Sequence, residues 1–196
     1  MINSDLNSIK TEERGMIAPC GVICLGCDFY IGDCVEAAKR VQEIWEGWNM
    51  IDIGPTLGFN AKNIKITLKT LKSFINRNKN TCPGCHNGGK GTKVCGIAQC
   101  VFSKGYWTCA ECEDFNPESE TPCPHINQDA PYITDKGKMM KLMCARYSKD
   151  LNENLKKIRE IGYSEFLKEI REKVTNGWRT WQIINKGMVF TNKEKK

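Results

Sequence analysis

Apolar residues recur at helical spacing along most of this chain. Val35, Ala38, Val41, Trp45 and Trp48 predict an amphipathic helix from about Asp33 to Asn49. Ile64, Leu68, Leu71 and Ile75 predict a second, with its lysines mostly on other faces. A third and longer pattern, from about Asp135 to Ile161, turns Met140, Met143, Tyr147, Leu151, Leu155 and Ile158 inward. Gly162 stops it, and Ser164 can cap a fourth helix whose apolar face is Phe166, Leu167, Ile170 and Val174. Gly177 then serves as the C-terminal glycine. Alternating, strand-like stretches are scarce, Met188 to Thr191 being one short candidate. The expected fold is therefore α-rich, a small α+β at most, with irregular cysteine knuckles packed on helices. Two glycine-punctuated segments, 20–34 and 82–123, carry those knuckles. The expected organisation is a tail, 1–16, a cysteine-rich domain, 17–133, and a C-terminal helical extension, 134–196, packed on it as one structural unit.

Composition narrows the chemistry. Twelve cysteines in 196 residues are either a disulfide framework or metal ligands. The opening MINSDLNSIKTEERG is polar and charged, without the apolar core of a secretory signal. No run approaches the roughly 18 apolar residues of a membrane span. The expectation is a cytoplasmic protein with no membrane association, whose thiols bind metal rather than pair. The formal charge of +6 hints at a polyanion partner. Each all-cysteine zinc site, however, carries four thiolates on one dication, and two such sites would bring the total to about +2. Charge is also segregated: residues 62–93 hold eight lysines and arginines and no acid, whereas 109–129 hold six acids and no base.

Three C-x2-C knuckles recur: Cys24-Leu-Gly-Cys27, Cys82-Pro-Gly-Cys85 and Cys109-Ala-Glu-Cys112. Two intervening residues allow a tight turn, so both sulfurs can reach one ion about 2.3 Å away. Glycine at the third position of the first two permits the positive φ such turns often use. Cys20 extends the first into C-x3-C-x2-C, three thiols where a four-coordinate ion needs one more. That fourth ligand is expected from the second segment, which would clamp the N-terminal stretch onto the middle of the chain. Cys82 and Cys85 with Cys109 and Cys112 form a zinc-ribbon-like pattern. Cys95 and Cys100 would point about 140° apart on one helix. They share an ion only if Cys95 precedes the helix, as Gly96 allows. Cys123 can close either site.

Sharper readings of these motifs fail on context. C-x3-C-x2-C is the radical S-adenosylmethionine spacing, but Gly26 stands where an aromatic residue is usual, and βα alternation is missing. Cys82-Pro-Gly-Cys85-His86 spells a haem attachment sequence without an export signal. A thioredoxin-like pair needs a strand-to-helix setting that the flanks lack. With two histidines in the chain, a histidine-based hydrolytic zinc site is disfavoured, and no catalytic constellation emerges. His86 is a turn residue or a ligand, and His125 is equally divided between surface and ligand. Cys34 opens a predicted helix and is either packing or ligand, and Cys144 falls on an apolar stripe as a core residue. Glu111, Glu113 and Asp114 suggest a solvated knuckle rim.

The order Cys20-Gly21, Cys24, Cys27, Tyr30, then Cys82–Cys85, Cys95, Cys100, Lys104-Gly105, Cys109–Cys112, Phe115 and Cys123 resembles the prokaryotic cysteine-rich domain of unknown function 3795 family. The resemblance covers roughly residues 17–125 and implies a small, metal-binding domain with no named activity. Ten cysteines match the family order as metal ligands: Cys20, Cys24, Cys27, Cys82, Cys85, Cys95, Cys100, Cys109, Cys112 and Cys123. The chain departs from it in an insertion between Phe115 and Cys123, and in the extra Cys34. Ligands spread over about 100 residues favour structural Zn2+, two ions, over the alternative, a [4Fe-4S] cluster. The leading function is a metal-binding module that binds an unknown protein partner; an iron–sulfur redox protein or enzyme is the alternative. Nucleic acid is a third reading. Lys65, Lys69 and Lys72 would follow phosphates, and Trp178, Arg179 and Trp181 would stack on bases. A solvated lysine face and tryptophans covering the core explain the same residues more simply.

Overall fold

The computed structural model describes residues 9–89, 92–116, 123, 151–180 and 182. These residues are mostly helical, with no strand among them and one isolated antiparallel bridge, Ile17 to Ile23. The α-rich expectation holds. Among the described residues no helix is long and apolar enough to cross a membrane. The boundary expected at 133/134, the first half of the third predicted helix, Cys144, His125, Trp181 and the strand candidate at Met188 lie outside the described residues. Contacts divide the chain into two compact units, residues 28–82, and residues 1–27 with 83–196.

The unit of residues 28–82 is a helical hairpin. It runs α1 (Asp28–Ile31), α2 (Asp33–Gly47), α3 (Met50–Ile53), a 3-10 turn (Gly54–Leu57) and α4 (Ala61–Asn78). Asn60 caps α4, its Oδ1 accepting from the N–H groups of Lys62 at 2.9 Å and Asn63 at 3.2 Å. α4 packs along α2, burying Ile64, Val35, Ala38 and Met50, and Phe29 meets Phe74 at a tilt. The spans of α2 and α4 agree with the sequence pattern, but the inward face of α2 does not. Val41 is 40% and Trp48 67% exposed. At 100° per residue, Val41 and Trp48 lie about a quarter-turn away from the side carrying Val35, Ala38 and the half-buried Trp45. One partner helix covers one side, so Val41, Ile44 and Trp48 form a second apolar stripe left in water.

The larger unit contains the cysteine clusters. Its elements are 3-10 turns at Arg14–Met16, Cys24–Gly26, Cys85–Asn87, Thr92–Val94 and Cys109–Glu111, with α5 (Gly96–Ser103), α6 (151–161) and α7 (Tyr163–Thr175). Leu155 and Ile158 of α6 and Tyr163, Phe166 and Ile170 of α7 pack into one core with Ile17, Ile97 and Phe115. Gly162, at φ 83°, ends α6 and stands as the N-cap of α7, so Ser164 lies inside the first turn instead of capping it. α7 closes as expected at Gly177 (φ 89°). The Gly177 N–H bonds to Val174 O and the Trp178 N–H to Lys173 O, the paired bonds of a Schellman ending.

That ending aims Trp178 and Thr180 at the first cysteine knuckle. Thr180 N–H donates to Gly26 O at 2.8 Å, and its buried hydroxyl donates to Ile23 O at 2.6 Å. A Cβ on Gly26 would stand 2.6 Å from the Trp178 ring and 3.0 Å from Thr180 Oγ1. Gly26→Ala is thus expected to lower stability by about 1–3 kcal/mol, the usual overpacking cost, because a packed indole has little room to yield. Urea unfolding checks it: a midpoint equal to the parent's would show that the indole moves freely.

Candidate metal centre

The third knuckle is built by its own backbone. Thr108, fully buried and extended, ends the preceding segment and caps the turn at Cys109–Glu111. Its Oγ1 accepts from Ala110 N–H, while Glu111 Oε1 accepts from the N–H groups of Trp107 at 2.5 Å and Thr108 at 2.9 Å. Glu111 is therefore no solvated rim residue; half-buried, it closes the capping box, and burial raises its carboxyl above the usual range. Glu113 and Asp114 do face solvent. Cys112 N–H returns to Cys109 O at 3.1 Å, the tight turn that C-x2-C predicts, and Cys27 N–H makes the same bond to Cys24 O at 2.8 Å.

Two cations grip this knuckle. Arg159 of α6 reaches into it, with Nε donating to Ala110 O at 2.6 Å, Nη1 to Phe115 O at 2.8 Å and Nη2 to Cys112 O. The guanidinium also lies over the Phe115 ring, 4.8 Å from its centroid. Lys104 Nζ, just past α5, donates to Asp114 Oδ2 at 2.5 Å and sits 3.5 Å from Cys112 Sγ. The Asp114 and Cys112 bonds push the lysine pKa upward, and the lysine holds Asp114 below the ordinary carboxylate range. Lys104 belongs to the family order read from the sequence, without a role, and Arg159 is not among the residues singled out there. Arg159 did leave a signal, since it follows Leu151 and Leu155 at four-residue intervals, a charge on an inward stripe.

The thiols converge on Cys109. Burial pushes its pKa strongly upward, and Cys123, Cys112, Cys100 and Cys95 add to the rise. Cys100 is raised too, first by burial, then by Cys123, Cys112 and Asp114, with Lys104 opposing. Cys95 stands at the N-cap of α5 in extended conformation, before the helix, which is the condition for sharing a neighbourhood with Cys100. Four of the other expected ligands, Cys95, Cys100, Cys112 and Cys123, are thereby within electrostatic reach of Cys109. Among the described residues, no three Cys, His, Asp or Glu side chains already stand in ligating arrangement. The donor set nonetheless suits a soft or borderline cation. Four thiols stand around buried Cys109, where burial disfavours the thiolate, and a dication would supply the counter-charge that thiolates there need.

The other expected ligands are distributed differently. Cys20, Cys24 and Cys27 lie on the N-terminal loop, which Ala18 and Val22 close by a 2.7 Å backbone bond. That loop is joined to the second cysteine segment: Cys109 N–H donates to Pro19 O at 2.8 Å, and the His86 Nε2 donates to Ile17 O at 3.1 Å. The two segments are thus joined by hydrogen bonds, where the sequence pattern predicts a shared metal ligand. Because Nε2 carries the hydrogen, Nδ1 carries the lone pair; it is buried without a hydrogen-bond partner. Burial lowers the His86 pKa to about 4, and Trp107 stands edge-on to the ring at 4.4 Å. Cys85 begins the turn that packs on Arg14–Met16. Cys82 and Cys34 belong to the unit of residues 28–82, so the ribbon-like pairing of Cys82 and Cys85 with Cys109 and Cys112 runs across the division between units. None of the described cysteines forms a disulfide.

The sequence model of the family described as "Protein of unknown function (DUF3795)" matches residues 16–128, more than half of the chain, and the protein belongs to that family. No curated protein and no solved structure matches it significantly.

Proposed function

We propose that this member of the DUF3795 family is a metal-binding module whose metal is structural. Four thiolates drawn from Cys95, Cys100, Cys109, Cys112 and Cys123 hold one zinc ion. Cys20, Cys24 and Cys27, with Cys85 from the adjoining segment, hold a second. The observation that carries the reading is the convergence of four thiols on buried Cys109, beside Arg159 and Lys104. An all-thiolate zinc site has a net charge near −2, and two flanking cations offset it. Zinc supplies the charge that lets these thiols stay deprotonated in a buried site. The protein's own part is to hold the knuckle: Thr108 and Glu111 shape the turn, and Arg159 ties its carbonyls to α6. The ion's free energy of binding then becomes folding free energy for the larger unit.

Elemental analysis and an absorbance spectrum on protein purified without oxygen test this. About two zinc ions per chain and a featureless visible spectrum are expected. A strong chelator should then melt the larger unit, seen as lost near-ultraviolet circular dichroism from its tryptophans. Metal-free protein that melts like the parent would overturn the reading. Iron with acid-labile sulfide would assign the thiols to a [4Fe-4S] cluster instead.

A further inference from the structure

The connection from α2 to α4 is unusually apolar for a stretch in contact with water. Trp48 is 67%, Leu57 60%, Phe59 50% and Ile51 42% exposed. Val41 and Ile44 continue the stripe along α2, and Ile66 stands on α4. Exposed apolar groups in such number at one place mark an interaction surface. Residues 48–59 include one charged group, Asp52, whose carboxylate accepts from Asn49 Nδ2 at 2.6 Å.

Beside this apolar stretch lies a lysine flank. Lys62, Lys65, Lys69 and Lys72 follow one another at three- and four-residue steps on one side of α4, all exposed, over about 15 Å of helix. No acid occurs in the sequence between Asp52 and Glu111. On α2, Glu43 faces Arg40 at 3.7 Å, and Glu46 accepts from Gln42 at 2.9 Å. The surface therefore offers apolar side chains beside a lysine-rich face of α4, with Glu46 on α2 a carboxylate bonded to a neutral amide.

We propose that residues 48–59 and the lysine flank of α4 dock on the surface of an anionic lipid bilayer. Trp48, Ile51, Leu57 and Phe59 enter the boundary between headgroups and acyl chains, and the four lysines meet the headgroup phosphates. The pairing of exposed apolar side chains with a row of lysines matches an anionic headgroup layer over acyl chains. N–H groups of Trp48, Asn49, Asp52, Ile53, Gly54, Gly58 and Phe59 all bond within the connection and its flanking helices, Pro55 has none, and the Thr56 hydroxyl donates to Ile53 O at 2.6 Å. A segment resting at the headgroup boundary keeps most of its backbone bonded internally and leaves the few remaining donors, such as those opening α3, to headgroups and water. A nucleic acid would use the lysines and aromatic rings but has no use for Val41, Ile44, Ile51 and Leu57. The inference rests on the unit of residues 28–82 and does not depend on the metal.

The test is co-sedimentation of the full-length protein with phosphatidylcholine vesicles, with and without roughly one-third phosphatidylserine. Binding to the anionic vesicles, weakening as salt is raised, is expected. Trp48→Ser/Leu57→Ser/Phe59→Ser should abolish it with the melting temperature unchanged, because all three side chains are exposed. Lys65→Gln/Lys69→Gln/Lys72→Gln should weaken it about 100-fold, at about fivefold per lysine. Failure of the parent to bind anionic vesicles overturns the proposal, as does parent-like binding by either variant. If the serine variant does not fold, the glutamine variant decides by itself. Capture by polyglutamate or polyuridylate in place of vesicles would reassign the surface to an acidic protein segment or to nucleic acid, and the lipid assignment would fall.

Discussion

Cys109→Ser is expected to leave the protein one metal ion short and its larger unit unfolded. The serine hydroxyl is nearly isosteric, so packing alone predicts a small change. Cys109 is, however, the buried thiol on which Cys95, Cys100, Cys112 and Cys123 converge. Losing it leaves thiols gathered in one place without the ion that would neutralise them. Structural zinc contributes on the order of 10 kcal/mol or more to small domains, comparable to the entire stability of a protein. Zinc content by elemental analysis should drop by about one ion per chain, and the cooperative melting transition of the larger unit should vanish. Cys34→Ser is the control, since Cys34 is half-buried in the first turn of α2 and is not among the thiols that raise Cys109. It should keep the full complement of metal. A Cys109→Ser protein with parental metal and melting would remove this site from the account.

Arg159→Met is the second large effect expected, at about 3 kcal/mol of lost stability. Its guanidinium satisfies the carbonyls of Ala110, Cys112 and Phe115 at once and covers the Phe115 ring. Methionine replaces the stem and its packing but offers no donor, so three acceptors in a partly buried turn lose their bonds. A hydrogen bond to a charged donor contributes about 1.5–3 kcal/mol, and water will recover part of that sum at the half-exposed edge. Arg159→Lys should rescue little, because a point ammonium cannot span the fork that three carbonyls require. In urea the midpoint should fall by about 1–2 M for both variants. Full rescue by lysine would mean that charge beside the thiols matters and the hydrogen-bond geometry does not.

Much of the helical architecture is legible in the sequence. Helical periodicity is a local property, so Ile64, Leu68, Leu71 and Ile75 sufficed to mark α4, and Gly162 and Gly177 to bracket α7. Metal-knuckle spacing is local as well. The turn at Cys109–Glu111 and the one at Cys24–Gly26 follow from two intervening residues. Position 95 was legible for the same reason, since Gly96 permits a helix start just after the cysteine. Glu111 and Ser164 depart from the sequence expectation where a second local possibility competes. Glu111 can face water or cap its own turn, and buried Thr108 tips the balance toward the cap. Ser164 can cap a helix, but Gly162 already provides the reversal.

Other features depended on segments distant in sequence. α2 has two apolar stripes of similar strength, and nothing within the helix says which one a partner covers; α4 chose Val35 and Ala38, leaving Val41 and Trp48 in water. Arg159 reaches carbonyls more than 40 residues earlier in the chain, a contact that requires α6 to be packed against the knuckle first. The division into residues 28–82 and the remainder has no mark in the hydrophobic pattern, because both sides of it are amphipathic helices and turns. By itself the sequence determined the helices, the turns and the supply of thiols, since those follow from hydrogen bonds and sterics within a few residues. Which thiols meet, which cations stand beside them and which apolar stripe stays exposed were decided by tertiary structure, where the cost of closing long loops is set against burial that only the assembled core provides.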